Sequence, residues 1–235
     1  MNSKEVIQLE DTDEEGDPEE KGSVRQRQES RAKSLQDEHQ LLEYNNVPVY
    51  LTDLKTLQYD TWLNDTIIEF YLNYLQQEIL PQEDREGVYV FSSMFYIKLT
   101  GADLKGKSEA GGTQERLTAS ERRHLEVKTW TKTFDIFEKN LLIFPICKHS
   151  HWFLIVVVKP GLVASPKERN NNGEPLIILL DSLGEAQSTA VRFIREYLEE
   201  EWRTKKSAAC GGQAFKFSSK EMKTIKPKKV ILVSW

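Results

Sequence analysis

Two stretches leave this chain little freedom of fold. Trp152-Phe-Leu-Ile-Val-Val-Val158 and Leu176-Ile-Ile-Leu-Leu180 are near-continuous runs of Leu and β-branched residues, the pattern of strands buried on both faces. Leu141-Leu-Ile-Phe-Pro-Ile146 adds a third run, and Val88 to Phe91 and Val47 to Leu51 read as shorter ones. Helical signals surround them. Thr52-Asp53 is expected to cap a turn from Leu54 to Leu57, and Asn64-Asp65 to cap a helix from Thr66 to Ile79. In the latter, Ile67, Ile68, Tyr71, Leu72, Leu75 and Ile79 recur at helical spacing, and Pro81 closes it. Ser92-Ser93 precedes a helix from Met94 to Leu99, Leu117 to Thr129 reads as another, and Ala190 to Trp202 as an amphipathic third. Gly101 to Gly112, Lys159 to Pro175 and Lys205 to Lys229 read as polar connections. This order predicts an α+β fold, a central sheet flanked by helices.

Composition narrows the class. The longest uncharged apolar stretch, Phe153 to Val158, falls far short of the roughly 20 residues of a membrane span, so no membrane partner is expected. With 32 Lys+Arg against 37 Asp+Glu and a net charge of -5, sequence-independent nucleic-acid binding is not expected either. Two cysteines, Cys147 and Cys210, cannot build a disulfide scaffold, and no apolar run follows Met1, which points to a reducing compartment. Residues 1–40 are acidic between Glu10 and Glu20 and almost devoid of apolar residues after Lys21. Such a tail is expected to be disordered, leaving residues 41–235 as the ordered domain.

The chemistry concentrates at two strand ends. His151 opens one buried run and Asp181 follows another directly. A carboxylate there is costly to desolvate unless paired, and a His–Asp pair on adjacent strands is an orienting arrangement, in which the carboxylate fixes the imidazole tautomer for a cysteine or serine nucleophile. Taken singly, His151 also fits a structural strand-end residue and Asp181 a turn cap. No metal is expected, because His149 and His151 alternate faces of an extended strand with no further ligand at suitable spacing. Cys147 reads as a buried small hydrophobe; His39 and His124 read as exposed.

These residues resemble a family. Trp62-Leu63-Asn64-Asp65 with Ile67, Ile68, Phe70 and Tyr71 resembles the helix start of the SUMO- (sentrin-) specific cysteine proteases. His151-Trp152 is similar to their catalytic-His strand and Leu180-Asp181-Ser182-Leu183 to their catalytic-Asp strand. Phe91-Ser92-Ser93, Val127-Lys128-Thr129-Trp130-Thr131, Phe134 to Lys139 and Glu196-Tyr197-Leu198 with Trp202 resemble the branch that trims poly-SUMO chains. The resemblance covers about Leu41 to Lys229. It implies a papain-like, adenain-like cysteine protease fold with a mixed sheet, cleavage after the C-terminal Gly-Gly of SUMO, and no cofactor. It also implies His151 as general base and acid, Asp181 as its orienter, and Trp62 and Trp152 as a narrow lid over the Gly-Gly tail. The alternative for either tryptophan is ordinary packing. SUMO and SUMO conjugates are the implied partners, the nucleus (and also the cytoplasm) the implied location, and a monomer the expected state.

The chain departs from that pattern at the nucleophile. The family's Gln-x-x-x-x-Asp-Cys-Gly motif does not occur. Cys210-Gly211 follows Ser207-Ala208-Ala209 rather than an acid, and Gln213 comes after it. The expectation is a domain truncated at its C-terminus, where the chain reads Val230-Ile-Leu-Val-Ser-Trp235, poorly stable and inactive. A catalytically dead SUMO-binding module is the alternative, and an acetyl-transferring relative of the same clan a further one. Val6-Ile7-Gln8-Leu9, followed by Glu10, Asp11, Asp13, Glu14 and Glu15, resembles a SUMO-interacting motif, a short strand that adds to a sheet edge with an acidic flank. The bland alternative is an acidic tail.

Overall fold

The computed structural model describes residues 39–104, 117–169, 173–208, 211–212 and 215–227. Val6, Ile7, Leu9, Cys210, the stretch 230–235 and nearly all of the acidic tail lie outside the described residues.

The chain opens with a hairpin of β1 (Gln40–Tyr44) and β2 (Val47–Tyr50). Asn45 and Asn46 close it at φ 49 and 62, the left-handed pair that a two-residue hairpin turn requires and that Asn tolerates. Helix α1 (Leu51–Lys55) begins earlier than expected, because Asp53 acts from inside its first turn, accepting the Tyr50 N–H at 2.7 Å. Helix α2 (Asp65–Tyr74) continues as a π-turn through Leu75–Ile79 and stops before Pro81. Asn64 caps it as expected, Oδ1 accepting the Ile67 N–H at 3.1 Å. Then come α3 (Gln82–Arg85), β3 (Val88–Val90), α4 (Met94–Leu104), α5 (Ala119–Val127), β4 (Leu141–Lys148), β5 (His151–Val158), β6 (Leu176–Leu180), α6 (Ser188–Lys205) and β7 (Lys223–Ile225).

The main sheet has the order β3-β4-β5-β6-β7. The β3–β4 and β6–β7 pairs are parallel, and the two pairs between them are antiparallel. It follows that β3, β4, β6 and β7 all point one way. Both parallel crossovers step in the same direction along the sheet, so right-handed connections carry their helices to the same face. The core bears this out. Phe95, Tyr96 and Leu99 of α4, Val127 of α5, and Ile194, Tyr197, Leu198 and Trp202 of α6 are buried with Leu142, Phe144, Ile146, Phe153, Ile155, Val157, Ile177 and Leu179 of the strands. Phe91 stacks on Phe144 with ring centroids 4.2 Å apart.

Four expectations need correction. The apolar runs are not buried on both faces: along β5 and β6 buried residues alternate with half-buried Leu154, Val156, Ile178 and Leu180, because the helices take one face only. Lys159 to Pro175 is not simply a polar connection, since its 3-10 turn Pro160–Val163 buries Leu162 and Val163. Cys147 is half-buried rather than buried. His124 is 4% exposed, not a surface residue, for it meets an acid on α6. Pro145 sits in the middle of β4 without disrupting it, because β3 pairs only with Leu141 to Ile143 and leaves the Pro145 edge of β4 without a β3 partner.

Candidate active site

β4 and β5 are joined by His149-Ser150, both left-handed at φ 52 and 60, so His149 sits in the turn rather than alternating with His151 along a strand. The turn sets Lys148 opposite His151 and Cys147 opposite Trp152. Strand alternation then directs His151 to the face of Phe153, where the two rings lie 6.3 Å apart, and Trp152 to the other face. At the end of β6, Asp181 falls on the same side as Ile177 and Leu179. The structure thus brings together the two residues singled out from the sequence. His151 Nε2 lies 3.0 Å from Asp181 Oδ1, with the imidazole 20% exposed and the carboxylate side chain 2%.

Three donors hold that carboxylate. Oδ1 accepts from His151 and from the Leu183 N–H at 2.8 Å, and Oδ2 accepts from Gln187 Nε2 at 2.9 Å. Burial pushes the Asp181 carboxyl up, but the hydrogen bonds from Gln187, His151 and Leu183 outweigh it and hold the group below its ordinary 3.8. Asp181 is therefore an anion and can only accept. The proton between the groups belongs to His151 Nε2, which leaves the Nδ1 lone pair as the basic position of the neutral ring. The turn that returns the chain to Asp181 is tied by the Gly184 N–H to the Asp181 carbonyl at 3.1 Å, with Gly184 at φ 73, where a side chain would be strained.

Trp152 works on the opposite face. Its Nε1–H donates to the Leu63 carbonyl at 2.8 Å. The next residue, Asn64, is held from the other side, Nδ2 donating to Asp53 Oδ1 at 2.6 Å. The segment from Trp62 to Asp65 is thus clamped between β5 and α1, and Trp62 itself projects outward, 73% exposed. Cys147, across from Trp152, has its thiol pushed up by burial and by the nearby Asp65 carboxylate, and lies on the face away from His151. It is not placed as an activated nucleophile. Sequence reasoning missed Gln187, the Leu183 amide and the Asp53–Asn64 link. Only the last left a trace, in the polar residues flanking each helix start.

Residues 61–229 match the Ulp1 protease family, C-terminal catalytic domain, a stretch that contains Trp62, His151 and Asp181. The chain belongs to this family. As a member of the Ulp1 protease family it is 41% identical over 118 residues to sentrin-specific protease 6 of Mus musculus, covering 50% of this chain and 10% of that protein. It is 32% identical over 160 residues to the probable ubiquitin-like-specific protease 2A of Arabidopsis thaliana, covering 68% of this chain and 20% of that one. The chain thus spans between 10% and 20% of the length of these two curated relatives. Among solved structures, the C-terminal Ulp1 protease domain in complex with SMT3, the yeast ortholog of SUMO, superposes with a TM-score of 0.52 at 21% identity, covering 90% of this chain and 74% of that one. At that identity the likeness is one of fold, the α+β cysteine protease fold of Ulp1.

Proposed function

We propose that this chain is part of a SUMO-specific cysteine protease domain, with His151 as the general base and acid and Asp181 as the residue that orients it. The observation that carries the reading is the 3.0 Å contact between His151 Nε2 and the buried Asp181 carboxylate, within a stretch that belongs to the Ulp1 family. In such a site a cysteine thiol would pass its proton to His151 Nδ1, and the thiolate would attack the carbonyl of the last glycine of the tail, breaking its bond to the amine and leaving a thioester that water hydrolyses. The imidazolium, stabilised by Asp181, would return the proton to the leaving amine. The exposed indole of Trp62 and the half-buried indole of Trp152 supply apolar surface for a tail without side chains. SUMO and its conjugates are the proposed partners, and the nucleus the proposed location, on the strength of the family alone.

The 235-residue polypeptide carries this base and orienter without a cysteine in the family's motif, and Cys210 lies outside the described residues. Taken by itself it is expected to bind SUMO without cutting it. The 73% exposure of Trp62, a large aromatic surface left open to a partner, supports SUMO binding under either reading. Titration calorimetry with SUMO, and with SUMO lacking its terminal Gly-Gly, tests the substrate: tail-dependent binding supports the reading, and no binding to either sinks it. An electrophilic SUMO probe tests inactivity. A covalent adduct abolished by Cys210→Ala would show that Cys210 is the nucleophile after all.

A further inference from the structure

Gln187 occupies a position that suits it badly on two counts. Its backbone is left-handed, at φ 42 and ψ 36, and it stands at the N-cap of the 18-residue helix α6 without capping it by its side chain. For a residue other than glycine the left-handed conformation is strained. Gln is also absent from the residue types preferred at an N-cap. The side chain instead turns back. Nε2 donates to Asp181 Oδ2 at 2.9 Å and to Glu185 Oε2 at 3.1 Å, while the Gln187 carbonyl accepts the Val191 N–H at 3.0 Å and starts the helix. The strained backbone is what points the amide at Asp181 rather than along α6.

The consequence is geometric. His151 and the Leu183 amide both bond Oδ1, so they resist the turning of the carboxylate about its Cβ–Cγ bond from that oxygen alone. Gln187 is the donor on Oδ2 among the described residues. Gln187 resists the same turning from the other oxygen, so the carboxylate is gripped at both ends of its plane. The other charged groups beside the pair are Glu185, on the same loop, and Lys148, opposite His151 across the hairpin; neither bonds the carboxylate among the described residues.

We propose that Gln187 is a positioning residue for the His151–Asp181 pair, locking the carboxylate plane so that the neutral imidazole is held with its proton on Nε2 and its lone pair on Nδ1. This rests on the reading of the pair as base and orienter, and it adds a residue that acts only through Asp181. A structural role as loop tether would alter melting without altering the ring.

Two variants separate these. Gln187→Gly accepts φ 42 without strain and removes the amide. Gln187→Asn keeps an amide and tolerates the left-handed backbone, but is one methylene too short to reach Oδ2. Long-range proton–nitrogen correlation spectra of the histidine-labelled full chain, assigned with His151→Ala, give the tautomer of the neutral ring. The expected result is the Nε2–H form in the parent and a mixture of both tautomers in each variant. The Gly variant is expected to melt no lower than the Asn variant. Variant rings that keep the parent tautomer would overturn the proposal, whatever the melting temperatures. No turnover is measured, so failure here is distinct from failure of the protease reading, which SUMO binding decides.

Discussion

His124 Nε2 lies 2.6 Å from Glu201 Oε2, with side chains 5% and 0% exposed. The contact joins α5 to α6, and Glu201 also holds Thr131 Oγ1 and Lys205 Nζ through its other oxygen. Glu201→Ala would leave His124 and Thr131 without this acceptor in the interior, while Lys205 keeps the Thr131 carbonyl, and is expected to cost about 2–3 kcal/mol, the usual loss when a buried donor is left unsatisfied. Urea denaturation of the two proteins side by side measures it. A loss below about 1 kcal/mol would mean that water or rearrangement satisfies the remaining donors.

The same carboxylate makes stability depend on acidity. Burial pushes the Glu201 carboxyl up, but hydrogen bonds from His124, Lys205 and Thr131 outweigh burial and hold it below its ordinary 4.5. A group depressed on folding contributes stability that is fully present above its unfolded value and drains away as pH falls through the folded one. Asp181, held below 3.8, adds to the same side. The urea midpoint is therefore expected to fall steeply below about pH 4 through these two groups, and the fall should be shallower in the doubly substituted Glu201→Gln, Asp181→Asn chain.

Trp62 and Trp152 should behave oppositely when replaced. Trp62 is 73% exposed, so Trp62→Ala is expected to change stability by no more than about 0.5 kcal/mol, yet to weaken SUMO binding at least tenfold. Trp152→Phe removes the bond to the Leu63 carbonyl and is expected to cost about 1 kcal/mol. Melting curves and calorimetric binding constants on the same preparations check both halves. Equal binding by the Trp62 variant and the parent would remove Trp62 from the interface.

Asp53 is 7% exposed and serves two partners, the Tyr50 N–H at 2.7 Å and Asn64 Nδ2 at 2.6 Å. Asp53→Ala is expected to cost about 2 kcal/mol, since both donors lose a charged acceptor. Hydrogen exchange should show the added opening confined to residues 50–67. Exchange that rises uniformly over the main sheet instead would contradict a local role.

The strands were legible because their signal is intrinsic: Leu141 to Ile146, Trp152 to Val158 and Leu176 to Leu180 are apolar over their whole length whatever packs on them. The number of covered faces was not, since that depends on where the crossover helices go, and Leu154 and Val156 look no different from Phe153 and Ile155 in the sequence. His124 on α5, a helix expected over Leu117 to Thr129 and found over Ala119–Val127, was misplaced at the surface for a related reason. The inward residues of α5 include Arg123 and His124, while Leu125 is 45% exposed. The polar face is inward because α6 presents Glu196, Glu200 and Glu201 to it, and a polar stripe at helical spacing reads in a sequence as the solvent face of a helix. At the site, His151 and Asp181 were visible as polar residues at the ends of apolar runs. Gln187 was not, because its role follows from a left-handed backbone that no residue type announces.

The two-residue turn at His149-Ser150 has one more implication. Side chains along β5 change sides at every step, so the identity of the residue that faces Asp181 is fixed by counting from that turn. Shortening it by one residue, with a two-residue turn re-formed after Lys148, would present an indole where the imidazole now stands, without altering a single amino acid of the strand beyond it. Its chemical makeup is free to drift toward Asn-Gly, which prefers the same backbone; its length is not.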